Sequence, residues 1–148
     1  MEKTLFIIKP DAVCENQAGK IIDIVLQKGF IIRAMKMTRF NSTLASKFYA
    51  EHKGKHFYGP LVKFMKSNPV IVMVLERDNA VKELRALVGK TNPADAARGT
   101  IRKKYARDGR HNAVHASDSL SSAKREIALL FKPSEIKARK YIDYPVIK

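Results

Sequence analysis

Short apolar runs alternate along this chain with stretches of helical periodicity, and that alternation confines it to a layered sheet-and-helix fold, α/β or α+β. Residues 4–8 are β-rich and apolar and read as a buried strand, stopped by Pro10. Within 19–27, Ile21, Ile22, Ile24, Val25 and Leu26 mark a helix that Gly29 ends. Residues 30–40 alternate loosely through Ile32, Ala34, Met35 and Met37 and read as a second strand. Ser42 or Thr43 is the expected cap of a helix over 44–50. Gly59 and Pro60 open another periodic stretch, with Leu61, Val62, Phe64 and Met65, which Pro69 breaks. Residues 70–75 are continuously apolar and form the clearest central strand.

The second half continues the pattern. Asn79 is the expected N-cap of a helix whose inner face is Ala80, Val81, Leu84, Leu87 and Val88, with Gly89 at its end. Residues 91–111 are long, irregular and rich in Gly, Pro, Asn and Arg, and a loop of that length in a small domain is usually functional. Residues 112–117 read as a short strand. Asp118 or Ser119 then caps a helix with Leu120, Ala123, Ile127, Leu130 and Phe131 inward, closed by Pro133. Residues 134–148 read as a surface-wrapping tail.

The chain has 148 residues, which suits one domain, and 45% hydrophobic residues suffice for a real core. No apolar run is long enough to span a membrane, and the N-terminus offers no signal-peptide core. The single cysteine, Cys14, leaves no internal disulfide and no cysteine-rich zinc site, so a reducing cytoplasm is expected. Lys and Arg total 29 against 14 Asp and Glu, a net charge of +15 that favours polyanionic partners such as nucleic acid or phosphorylated ligands. A solvated basic surface would explain the same excess. The cations concentrate locally at Arg98, Arg102, Lys103, Lys104, Arg107 and Arg110.

No glycine cradle for phosphate is present. Gly89-Lys90-Thr91 resembles the end of a P-loop, but the first glycine would fall on Leu84, and the segment follows a helix. Any nucleotide site must therefore be built from side chains. The four histidines, His52, His56, His111 and His115, lack metal-ligand spacing. An imidazole can nonetheless act as a nucleophile near neutral pH. His115 lies between an apolar strand and a helix start, which holds it rigidly, and Glu126 follows about two turns into that helix. Spacing alone does not bring the two together.

KPDAV near the N-terminus, then R-x-L-x-G-x-T-N-P, then GTIR, then NAVHASDS follow in order, and this constellation resembles the nucleoside diphosphate kinase family from about residue 2 to 131. The resemblance implies one such domain over 1–148, with a divergent tail at 132–148. It implies a ferredoxin-like fold whose four-stranded antiparallel sheet is covered by helices. It implies ping-pong transfer of the γ-phosphate of a nucleoside triphosphate to a nucleoside diphosphate, maintaining NTP and dNTP pools. On the matching motifs, His115 would be phosphorylated at Nδ1, Glu126 would orient its other nitrogen, and Ser117 would support that arrangement. Lys9 and Asn112 would contact the transferring phosphate and the ribose hydroxyl, and Tyr49 would stand beside the histidine. Arg85, Thr91 and Arg102 would be phosphate ligands, and Phe57 would stack on the base. Mg²⁺ would enter on the nucleotide phosphates, without a dedicated protein cage. The family also implies a homo-oligomer, hexamer or tetramer.

Taken singly, each residue has a plainer reading. Lys9 would be a solvated charge, Phe57 and Tyr49 packing, Arg85 and Arg102 surface cations, and Glu126 an exposed helix carboxylate weakly paired with Lys124 or Arg125. The ordered match overturns those readings. The chain departs from the family pattern at Ala116, where glycine is usual, at Lys103-Lys104, where Gly-Asp is usual, and at His56, where proline is usual. The alternative function is a nucleic-acid-binding protein on the same fold, motivated by the charge.

Overall fold

β1 (Glu2–Ile8) explains the architecture, because it buries Leu5 and Ile7 on one face and Phe6 and Ile8 on the other. In this computed structural model, which describes residues 1–140, 142 and 145, β1 and β3 (Val70–Arg77) are the central strands. A strand covered on both faces needs no polar alternation, which is why both read as continuous apolar runs. Among the described residues, four strands form one sheet in the order β2-β3-β1-β4, with every pair antiparallel. β2 (Ile31–Thr38) is one edge, bulged between Ile32 and Ala34, and β4 (Val114–Ala116) is the other. The arrangement is ferredoxin-like, as expected.

One core layer packs Phe6, Ile8, Met73 and Leu75 against α2 (Ala18–Gln27) and α5 (Ala80–Val88) through Ile21, Val25, Leu84 and Val88. The opposite layer packs Leu5, Ile7, Val72 and Val74 against α3 (Ser42–Phe48), α4 (Tyr58–Ser67) and α7 (Leu120–Leu130) through Phe48, Met65 and Leu130. No helix among the described residues is long and apolar enough to cross a membrane.

Several local expectations need correction. Pro10 stops β1, but it also opens the short helix α1 (Pro10–Cys14), where its fixed φ and missing N–H suit the first turn. Asn41, and neither Ser42 nor Thr43, caps α3, its Oδ1 accepting from the Leu44 N–H at 2.8 Å. Asn79 stands at the N-cap of α5 in the left-handed region, φ 52°, and its side chain makes no capping bond. The free Val81 N–H is met by the Glu2 carboxylate at 2.9 Å, from the neighbouring strand β1. The long 91–111 segment contains the single-turn helix α6 (Ile101–Tyr105), capped by Thr100. Ser119, one of the two expected caps, accepts from Ser122 N–H to start α7, worth about 1 kcal/mol. Leu120 is 51% exposed, so the buried positions of α7 are Ala123, Glu126 and Leu130. The tail runs through a short 3₁₀ turn at Pro133–Glu135, and Lys137 N–H bonds the Arg33 carbonyl at the bulge of β2. Positions 141, 143, 144 and 146–148 of the expected surface-wrapping tail lie outside the described residues.

Candidate active site

His115 sits in the middle of β4, opposite Ile7 of β1. Its ring packs edge-on against Phe48, centroids 5.1 Å apart, so one face of the imidazole is covered. Nε2 lies 2.9 Å from Glu126 Oε1. A carboxylate can only accept, so Nε2 carries the hydrogen, and in the neutral ring Nδ1 then keeps its lone pair. Nδ1 has no hydrogen-bond partner among the described residues. The Glu126 oxygen also accepts from Ser117 Oγ at 2.7 Å, and that hydroxyl in turn accepts from the Leu5 N–H at 3.3 Å. A strand, a helix and a loop serine thus fix one ring, and Glu126 is only 4% exposed. It is no surface carboxylate, and its distance to Arg125 is 3.9 Å.

Two residues before His115 the backbone is strained. Ala113 has φ 71°, in the region alanine disfavours, and Val114 N–H bonds Asn112 C=O at 2.8 Å across it. Ala116, by contrast, is not among the positive-φ residues, and glycine's freedom is not needed there.

Lys9 follows β1 and is buried at 5% exposure, contrary to a solvated charge. Its Nζ donates to Asn112 Oδ1 at 2.8 Å and to Arg110 C=O at 3.0 Å. Burial pulls its pKa down to about 8; Asp11 opposes that shift, Arg102 and Arg110 add to it, and Asp108 opposes it. Asn112 Nδ2 donates to Thr91 C=O at 3.2 Å and Gly109 C=O at 3.1 Å, tying the ends of the long loop together. Arg102 donates to Gly89 C=O and Val114 C=O, both at 3.0 Å, and its buried Nε has no partner. Burial, with Arg85 nearby, brings its pKa to about 10. Gly89 cannot be replaced easily: φ is 90°, and an added Cβ would stand 2.6 Å from Thr100 Oγ1.

These groups surround one cleft of about 540 Å³. Lys9, Tyr49, Phe57, Arg85, Thr91, Arg102, Asn112, His115 and Glu126 all line it, and Ser117 lies behind Glu126. Tyr49 is buried against Phe48, and burial with the Glu126 charge raises its pKa, so it stays a phenol. Phe57 is half-buried, with His52 edge-on at 5.2 Å and Lys55 Nζ 5.7 Å from its centroid. The 91–111 loop brings Thr91, Arg102, Gly109 and Arg110 to the cleft.

Sequence reasoning missed His52, Glu51, Arg110 and Asp118 as lining residues. Asp118 was visible only as a cap candidate; hydrogen bonds from Ser122 and Ser119 hold its pKa down, with Arg85 contributing charge. Arg110 was visible in the basic concentration but carried no motif. A histidine with one nitrogen anchored and the other free, in a cleft lined by Lys9, Arg85, Arg102 and Arg110, can take and pass on a phosphoryl group. Among the described residues no group of three or more His, Cys, Asp or Glu could hold a metal ion.

A family model, nucleoside diphosphate kinase, matches residues 2–136. The chain belongs to the nucleoside diphosphate kinase family. It is 54% identical over 136 residues to the nucleoside diphosphate kinase of Pasteurella multocida (strain Pm70), covering 92% of this chain and 98% of that one. With the nucleoside diphosphate kinase of Histophilus somni (strain 2336) it shares 51% over 139 residues, 94% of this chain and 99% of the other. The fold matches a halophilic nucleoside diphosphate kinase from Halobacterium salinarum, solved in complex with CDP, with a TM-score of 0.92 and 39% identity over 95% of this chain and 93% of that one. Its activity is that of a nucleoside diphosphate kinase, a phosphotransferase of nucleotide metabolism.

Proposed function

We propose that phosphoryl transfer runs by a ping-pong route through His115. Nδ1 attacks the γ-phosphorus of a bound nucleoside triphosphate, the bond to the β–γ bridging oxygen breaks, and the nucleoside diphosphate leaves. A terminal oxygen of a second nucleoside diphosphate then attacks the same phosphorus and breaks the N–P bond, restoring the ring. The observation that carries this reading is the Nε2 bond to buried Glu126, which leaves Nδ1 free in a cation-lined cleft. As Nδ1 takes the phosphoryl group the ring gains positive charge, and the carboxylate stabilises it in place. Ser117 keeps Glu126 from turning away. Lys9, Arg85 and Arg102 offset charge on the phosphate oxygens, Thr91 adds a hydroxyl donor, and Asn112 with Lys9 holds the ribose end. Phe57 offers a π face to any base, so broad base tolerance follows. Mg²⁺ suits this site as an ion carried by the nucleotide: Lys9, Arg85, Arg102 and Arg110 share the lining with Glu51, Asp118 and an already engaged Glu126, and among the described residues no group of three or more His, Cys, Asp or Glu could hold the ion.

The finer setting is part of the same proposal. Residues 1–148 form a single kinase domain with a divergent tail from 132, working in the cytoplasm as a homo-oligomer, hexamer or tetramer. The half-exposed Met35 and Met37 on edge strand β2 support association of copies. Its products would maintain NTP and dNTP pools. The nucleic-acid reading draws on Lys103 and Lys104, which α6 turns to solvent, and it requires affinity that falls steeply with salt.

The deciding experiment incubates the protein with Mg²⁺ and γ-labelled ATP, removes free nucleotide and chases with GDP. We expect acid-labile label on the wild type, its movement to GDP, and none on His115→Ala. A folded wild type that takes no label refutes the reading.

A further inference from the structure

KPDAV supplies more than Lys9. Asp11 is half-buried in the first turn of α1, and the reaction as described above makes no use of it. Its Oδ2 accepts from the Ala113 N–H at 3.0 Å. The Ala113 carbonyl in turn accepts from the Lys9 N–H at 2.8 Å. Both polar backbone groups of the strained residue are thus held by positions 9 and 11, and Ala113 is two residues from His115. The second Asp11 oxygen, Oδ1, is buried without a partner. An unpartnered buried carboxylate oxygen is costly, and a site tolerates it where the charge has a use.

The use is visible in what surrounds Lys9. Asp11 faces it from α1, Arg102 from α6, and Asp108 and Arg110 from the loop before β4. Phe64 of α4 covers it, the ammonium 5.5 Å from the ring centroid. Two of these charges are cations, and Asp108 is already engaged by His111 and by the backbone of Arg110 and His111. Asp11 is the carboxylate with the stronger effect on Lys9.

We infer that Asp11 is a positioning residue for the transfer: one oxygen pins the Ala113 turn that aims His115, and its negative charge offsets that of the buried ammonium of Lys9, whose backbone N–H holds the same turn. This rests on the proposed phosphoryl transfer through His115. The two jobs separate by substitution. Asp11→Asn retains an oxygen for Ala113 but no charge, whereas Asp11→Ala lacks both.

The test measures kcat and KM for nucleotide against pH on the full chain. In the wild type Lys9 is cationic below about pH 8, so kcat/KM falls as pH rises through that value. Removing the neighbouring negative charge makes the proton easier to lose, so in D11N this alkaline limb moves to lower pH by about one pH unit. Well below the limb, D11N keeps kcat within a few-fold. D11A shows the same displaced limb and, with the turn released, loses about 10–100-fold in kcat at every pH. Should D11A fail to fold, Asp11→Ser, too short to reach Ala113, is read in its place. A wild-type limb in D11N, or a kcat in the turn-releasing variant equal to that of D11N, overturns the inference. The Lys9 side chain is also titrated by NMR without nucleotide, assigned with Lys9→Arg. Its midpoint drops in D11N whether or not His115 accepts phosphate, and an unmoved midpoint overturns the charge role. Failure of the transfer chemistry would instead appear as a wild type without label.

Discussion

At one end of the cleft His115, Glu126, Ser117, Lys9 and Asn112 are each tied by hydrogen bonds to a neighbouring element. At the other end Phe57 and His52 meet ring against ring on the turn between α3 and α4, with His56, outside the lining, edge-on to Phe57. The first end is buried and over-determined; the second is open and held by nondirectional contacts. Phosphorus chemistry tolerates little misplacement, whereas a base that is only stacked can be of any kind. On the proposed route the contrast would let one site be strict about geometry and lax about the nucleobase.

The strict end gives the largest effects after loss of His115 itself. Glu126→Ala frees the Nε2 anchor and leaves Ser117 without its acceptor, and the phosphorylation rate constant should fall about 10²-fold with little change in KM. Rapid-quench measurement of label uptake would show it, and a change confined to KM would break the comparison. The lax end should respond in the opposite sense. Phe57→Ala should raise KM about 5–10-fold while kcat holds, and by the same factor for GDP, CDP and UDP. A loss that depended on the base would mean that the open end reads edges after all. The smallest effect is expected at Ala116, whose backbone is ordinary strand. Ala116→Gly should change the rate by no more than about twofold and cost about 0.5–1 kcal/mol in a denaturant melt.

What could be read from the residues follows the same division. The strands at 4–8 and 70–75 were legible because both faces of the sheet are covered, and continuous apolar runs have few other uses. Helix starts were less legible. Asn41 was passed over because Ser42 and Thr43 are equally good caps, and only geometry chooses among them. The N-terminus of α5 is met by Glu2, which is 79 positions away and invisible to any local rule. In α7 apolar spacing pointed to Leu120, while the buried polar position was Glu126, where burial answers to His115 and Ser117 and not to hydrophobicity. Cleft residues with a motif were found in order along the chain; Arg110 was not, because its place depends on a loop conformation, and Asp11, inside KPDAV but outside the cleft lining, was not, because its part depends on a bond to Ala113.

The bonds that complete the cleft reach far along the chain: Lys9 meets Asn112 across 103 positions and Leu5 meets Ser117 across 112. A polypeptide leaves the ribosome from its N-terminus, and β1 therefore emerges long before the residues it must brace. Sheet strands β1, β2 and β3 have their partners early, but β4 and α7 come last and carry His115 and Glu126. No nascent chain short of α7 holds the anchored ring, so on the proposed route full competence for transfer waits for α7.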